Sequence, residues 1–260
     1  VIKAFRNAGT VRSGAAILKG ATALLALAML AAAVMAPAAQ TAPPQAPSAQ
    51  AGNSAPAAAN PYRDALALYQ RGRDLEYAGK PAEAKAKYSA SLALTEKTLI
   101  ATPKDMELLV LKCWNLFRLG KHQDVLVTGQ AALRNGYDYR IVETMGESSY
   151  HLGKNEDALR YFARYAETAP AADERMSTAY FYMGETYLRM KQYEHADIAY
   201  ATAVYLQPGL PRWWYRFGSA LEALGNYKRA WEAYGKALAI NPKYAEALAG
   251  RDRVKAKTGL

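Results

Sequence analysis

The chain has 260 residues, 51% of them apolar and 22% charged, with a net charge of +10 and a single cysteine. That length allows one sizeable domain without requiring two, and one cysteine excludes a scaffold of internal disulfides. Helix formers dominate after residue 60 and no run alternates apolar with polar residues in the manner of a strand, so the ordered part reads as all-α.

At the N-terminal end, Lys3, Arg6, Arg12 and Lys19 precede the uncharged stretch ATALLALAMLAAAVMA at 21–36, and no acid occurs before Asp64. This is the layout of a secretory signal, and the run from Gly20 to Ala36 is short of the roughly 20 apolar residues that span a bilayer. Residues 1–39 are expected to be a signal peptide, cut near Ala38 or Ala39; an uncleaved signal anchor is the alternative, and only then is a membrane tether implied. Residues 40–60, rich in Pro, Ala, Gln and Ser, hold nothing that builds a core and read as a disordered linker. Without the four N-terminal cations the balance is 29 Lys and Arg against 23 Asp and Glu, or +6. The remaining charge is dispersed except at the C-terminus, where Lys243, Arg251, Arg253, Lys255 and Lys257 read as a solvated helical face.

From residue 61 a pattern recurs. Gly184, Tyr193, Ala196, Tyr200 and Pro208 are repeated 34 places later as Gly218, Tyr227, Ala230, Tyr234 and Pro242. Gly146, Ala158, Phe162 and Pro170 form a similar unit upstream, followed by a four-residue insert, Asp173 to Met176. Weaker units contain Cys113, Gly120, Val125 and Ala132, and before them Gly72, Gly79, Ala84 and Tyr88. At this spacing the sequence resembles the tetratricopeptide repeat family over about residues 61–258, most closely in the last two units. The resemblance implies a right-handed α-solenoid of about five antiparallel helix pairs, near 65–104, 106–138, 139–172, 177–210 and 211–244, with a capping helix at 244–258.

Physical reasons accompany the pattern. Small residues such as Gly218 and Ala230 are expected to face one another where two helices approach, and Leu221, Tyr227 and Tyr234 to fill the gaps. Asn60 and Pro61 announce the first helix, and its partner is expected to run on to Pro103. Stacked units bury a face that a lone pair cannot, and the product is a long concave wall of first helices.

On that wall, the first-helix residues outside the packing pattern are Tyr69 and Arg73; Val110, Trp114 and Arg118; Glu143 and Glu147; Phe181, Glu185 and Arg189; and Tyr215, Arg216 and Glu222. Aromatic rings flanked by both signs of charge suit an extended polypeptide. The carboxylate clamp of chaperone adaptors in the family needs lysine, asparagine and arginine on successive inner helices, and the matching places here hold Tyr69, Arg73, Leu111, Glu143 and Glu147. His122, His151 and His195 fall in three different repeats without ligand spacing, so no metal or cofactor is implied, and Cys113 is expected to be buried and inert. No phosphate loop, nucleophile elbow or catalytic carboxylate arrangement is present, and nucleic-acid binding has little support. The sequence therefore reads as a non-enzymatic, exported adaptor that binds a protein or peptide in the bacterial cell envelope. The alternatives are a small-ligand-binding, transporter-associated component and an assembly factor for an envelope secretion machine.

Overall fold

The computed structural model describes residues 60–259, so the expectations for a signal at 1–39 and for most of the linker lie outside the described residues. The described residues form eleven helices and no strand. Five successive pairs are α1 (Pro61–Tyr77) with α2 (Pro81–Leu99), α3 (Met106–Arg118) with α4 (His122–Ala132), α5 (Tyr139–His151) with α6 (Asn155–Thr168), α7 (Met176–Arg189) with α8 (Tyr193–Leu206), and α9 (Pro211–Ala223) with α10 (Tyr227–Ile240). A last helix, α11 (Ala245–Thr258), packs on α9 and α10. None of these helices is long and apolar enough to cross a membrane.

Local sequence sets the ends of the helices. The Asn60 side chain accepts from the Arg63 backbone N–H at 3.2 Å, with Pro61 in the first turn, and Asp105 and Asp138 cap α3 and α5 in the same way. The turn inside every pair closes with the same bond from residue to fifth-preceding carbonyl, 2.9 Å each from Lys80, Lys121, Lys154, Gln192 and Asn226. This closure requires a left-handed residue one place earlier, and Gly79, Gly120, Gly153 and Gly225 supply it at φ between 71° and 81°. The fourth pair has Lys191 there at φ 59°, a conformation that costs a side-chain-bearing residue about 1 kcal/mol. Helix α2 stops at Leu99, short of Pro103, because the chain turns at Ala101 and Thr102, whose N–H groups both bond to the Thr98 carbonyl.

Packing between the helices of a pair rests on a glycine and an aromatic ring sixteen residues apart. A Cβ on Gly72, Gly146, Gly184 or Gly218 would lie 2.5–2.8 Å from the ring of Tyr88, Phe162, Tyr200 or Tyr234 respectively. The nearest neighbour of Gly218 is thus Tyr234 rather than Ala230, although Ala158, Ala196 and Ala230 are all fully buried. The second pair inverts the arrangement. Cys113 stands where the others have glycine, Gly129 stands where they have the ring, and Met145 from α5 fills the space, its Sδ 2.5 Å from where a Gly129 Cβ would be. Burial pushes the Cys113 thiol up to about 12, so at neutral pH it is a packing atom and not a nucleophile.

Successive first helices touch one another along the whole array, α1 to α3, α3 to α5, α5 to α7, α7 to α9 and α9 to α11, whereas contacts between successive second helices are weak or absent. The first helices therefore form the shorter, inner wall.

Candidate interaction groove and its cavity

Each junction between neighbouring units is bridged on the inner wall by an arginine of the later unit and a glutamate of the earlier one. The pairs are Arg118 with Glu76 (3.3 Å), Arg140 with Glu107 (2.6 Å), Arg175 with Glu143 (2.7 Å), Arg216 with Glu185 (2.5 Å) and Arg253 with Glu222 (3.0 Å). Several of the acids are also held by tyrosine hydroxyls: Tyr88 donates to Glu76, Tyr200 to Glu185 and Tyr234 to Glu222. Charge-assisted bonds of this kind hold the spacing of the wall.

This ladder changes the status of several residues that the sequence left facing the groove. Glu143, Glu147 and Glu185 are only 4%, 3% and 6% exposed and are committed to internal pairs, as are Arg118 and Arg216. Val110 belongs to the core, and Phe181 is buried in a stack on Trp213 with ring centroids 4.9 Å apart. Tyr69 is buried beneath Trp114, stacked at 5.6 Å. Tyr215 is half-buried between Tyr234 and Tyr244. Arg189 lies over the Tyr150 ring and bonds the Tyr150 carbonyl and Asn155. Of the expected set, Arg73 and Trp114 keep the most freedom: Arg73 bonds only the Tyr77 hydroxyl, and Trp114 is half-buried with no hydrogen bond on its indole N–H.

These two residues face a cavity of about 290 Å³ on the inner wall. Tyr69, Arg73, Trp114, Phe117 and Arg118 line one side from α1 and α3. Glu143, Thr144 and Glu147 from α5, with Glu174, Arg175 and Thr178 from the insert and α7, line the other. Sequence reasoning missed Arg175 and Glu174 because they sit in the insert, outside the 34-residue register; the insert itself was the one signal pointing to them. Arg175 is fixed there because Asp173 accepts from both its backbone N–H and the Tyr165 hydroxyl, and its guanidinium reaches Glu143 and Glu147 together. Burial first, and then the adjacent Glu143 carboxylate, push the Glu147 carboxyl well above the usual carboxylate range. Glu222 is the opposite case, since bonds from Arg253 and Tyr234 outweigh its burial and hold it low.

The histidines also depart from expectation. His122 and His151, assigned to separate repeats, stack face to face at 4.7 Å and 14°, beside Phe117 and Tyr150. Burial lowers both, and for His151 the nearby His122 and Arg189 lower it further. His195 lies apart on Tyr187. Among the described residues no group of three or more His, Cys, Asp or Glu is arranged to hold a metal ion.

Comparison with known proteins agrees with the repeat geometry. The tetratricopeptide repeat profile matches residues 177–209 and 211–244, the fourth and fifth pairs. TPR repeat-containing protein MJ1428 of Methanocaldococcus jannaschii is 27% identical over 154 residues, covering 55% of this chain, and the chain spans about a quarter of that relative (26%). Among solved structures, YrrB, described as a TPR protein with an unusual peptide-binding site, superimposes with a TM-score of 0.51 at 20% identity, covering 73% of this chain and 92% of its own. A double mutant of MamA gives 0.54 at 20% identity, with 70% and 96% covered, and a tetratricopeptide repeat protein of Parabacteroides merdae gives 0.51 at 19%, with 76% and 74%. At such identities the structures share the fold and no more. Residues 177–209 and 211–244 are thus tetratricopeptide repeats, and the five helix pairs with their closing helix share the fold of that family.

Proposed function

We propose that this protein is a non-enzymatic scaffold that holds an extended polypeptide partner along its inner wall, centred on the cavity between α1, α3, α5 and α7. The observation that carries this reading is the cavity itself: a half-buried tryptophan with a free indole N–H and an arginine without a carboxylate partner, on a wall where Glu143, Glu147, Glu185, Arg118 and Arg216 are paired internally. A flat ring offers contact area at low entropic cost, and the unpaired donors select for the polar backbone of a bound segment. YrrB, similar in fold, is described as having an unusual peptide-binding site, which supports a peptide as the kind of ligand. A cavity of about 290 Å³ is at the lower limit for a small-molecule pocket, and its mixed, charged lining suits a side chain better than a metabolite. The basic and then apolar N-terminal sequence motivates placing the scaffold in the bacterial cell envelope.

Site-specific photo-crosslinking tests both parts. A photoreactive residue at Trp114 is expected to yield a discrete protein adduct in cells, while the same group at Lys255 on α11 yields none. Equal adducts from both positions would remove the inner wall as the binding face. Fractionation of the same cells tests the location, and recovery of the protein in the cytoplasm would overturn the envelope assignment.

A further inference from the structure

Glu147 and Glu185 occupy the same place, one residue after the helix glycine, and they are not equally satisfied. Glu185 accepts from the Tyr200 and Tyr150 hydroxyls and from two nitrogens of Arg216. Glu222, at a different place four residues after Gly218, also has a full set, from the Tyr234 hydroxyl, Arg253 and Lys257. Glu147 accepts from Arg175 and from no other N–H or O–H group among the described residues, and Arg175 is shared with Glu143. The missing donor has an identifiable origin. Tyr200 follows Glu185 by fifteen residues, and the residue fifteen after Glu147 is Phe162, whose ring packs on Gly146 as the Tyr200 ring packs on Gly184 but carries no hydroxyl. A carboxyl group with only 4% of its side chain exposed is thus left short of one donor, beside a second carboxylate, at the wall of the cavity. Two ionised carboxylates on one guanidinium would carry one negative charge in excess, and in the free protein the proton that Glu147 shares with Glu143 removes it.

We propose that the absent donor is supplied by the partner, as the ammonium group of a lysine side chain that enters the cavity beside Glu147 while its methylene stem lies along Trp114. This names the chemistry of the polypeptide in the reading above and rests on that reading. An ammonium provides a compact charge with three rotatable donors, which fits a seat where the planar Arg175 guanidinium already takes one side, and the stem is suited to an aromatic wall. Arg73, across the cavity, is left for a carbonyl or carboxylate of the same segment. The groups that face Glu147 are Glu143 on its own helix, Arg175 from the insert, Arg118 on α3 and Tyr182 on α7. In the free protein Glu147 holds its proton above the ordinary carboxylate range, so the incoming ammonium displaces that proton to solvent and binding strengthens as pH rises.

The test uses the full chain and three capped heptapeptides of alanine with one central lysine, norleucine or glutamate, following the Trp114 indole N–H by NMR. The lysine peptide is expected to shift that signal with an affinity about tenfold above the norleucine peptide, corresponding to about 1.4 kcal/mol, and to bind more tightly at higher pH. Phe162→Tyr, checked for folding by circular dichroism, supplies the hydroxyl internally and is expected to weaken the lysine peptide about tenfold toward the norleucine value while leaving the other two unchanged. Equal binding of lysine and norleucine peptides, preference for glutamate, or indifference to Phe162→Tyr would overturn the proposal and leave the groove reading intact. Failure of all three peptides to perturb Trp114 would overturn both.

Discussion

The last two helix pairs and the first three use one packing plan with different fidelity. In α7 to α11, glycine meets a tyrosine ring at each step, the tyrosine hydroxyl meets a glutamate, and an arginine from the next unit completes the cluster. In α1 to α6 the plan is broken at three places: Cys113 and Gly129 exchange the small and large positions, Phe162 loses the hydroxyl, and the insert brings in Arg175 from outside the register. The cavity opens in the irregular part. Local departures from a repeated rule, where every other copy obeys it, mark the positions that serve something besides stability.

Breaking the regular part should therefore cost the most. Tyr234 is fully buried, its ring against both Gly218 and Gly250, and Tyr234→Ala is expected to lower stability by about 3–5 kcal/mol in chemical denaturation. Gly218→Ala sets a methyl against the same ring and should cost about 1–3 kcal/mol, whereas Gly129→Ala meets the flexible end of Met145 and should lie at or below the low end of that range. Equal losses at the two glycines would erase the proposed difference in rigidity. Lys191→Gly, in the fourth turn, should raise stability by about 1 kcal/mol, because it relieves the left-handed strain that the other four turns avoid.

The smallest effects are pH-dependent and have opposite signs. Glu147 has a raised value in the folded state, so its contribution is complete below its ordinary range and lost as pH rises through the folded value; Glu147→Gln should become progressively more stable than the parent as pH increases. His122 and His151 are lowered, so their contribution is present above about 6.5 and is lost as pH falls below it. Urea midpoints between pH 5 and 8 for the parent, Glu147→Gln and His151→Gln separate the two. A parent and a His151→Gln variant that lose stability in parallel below pH 6.5 would show that the stacked pair does not matter.

Much of the fold was legible because its signals are local and repeated: glycine at four of the five tight turns, small residues at helix crossings, asparagine and proline at the first helix start. The site was less legible. A groove-facing position can be read from register, but whether a glutamate there is free depends on an arginine 31 to 42 residues away, and the five bridges appear only once the units are stacked. Phe181 and Tyr69 looked available for the same reason, since stacking on Trp213 and Trp114 is a matter of side-chain direction and not of spacing. The His122–His151 stack joins the start of α4 to the end of α5 and has no sequence signature at all.

The most direct test of the central claim compares one residue of each part against the same bound polypeptide, once crosslinking has identified it. Trp114→Ala empties one side of the cavity, and Tyr215→Ala removes a groove-facing ring from the regular part. The account predicts that Trp114→Ala weakens binding at least about tenfold by titration calorimetry while Tyr215→Ala changes it less than about twofold, both variants remaining folded. A loss at Tyr215 with none at Trp114 would contradict it and move the binding face to the regular repeats.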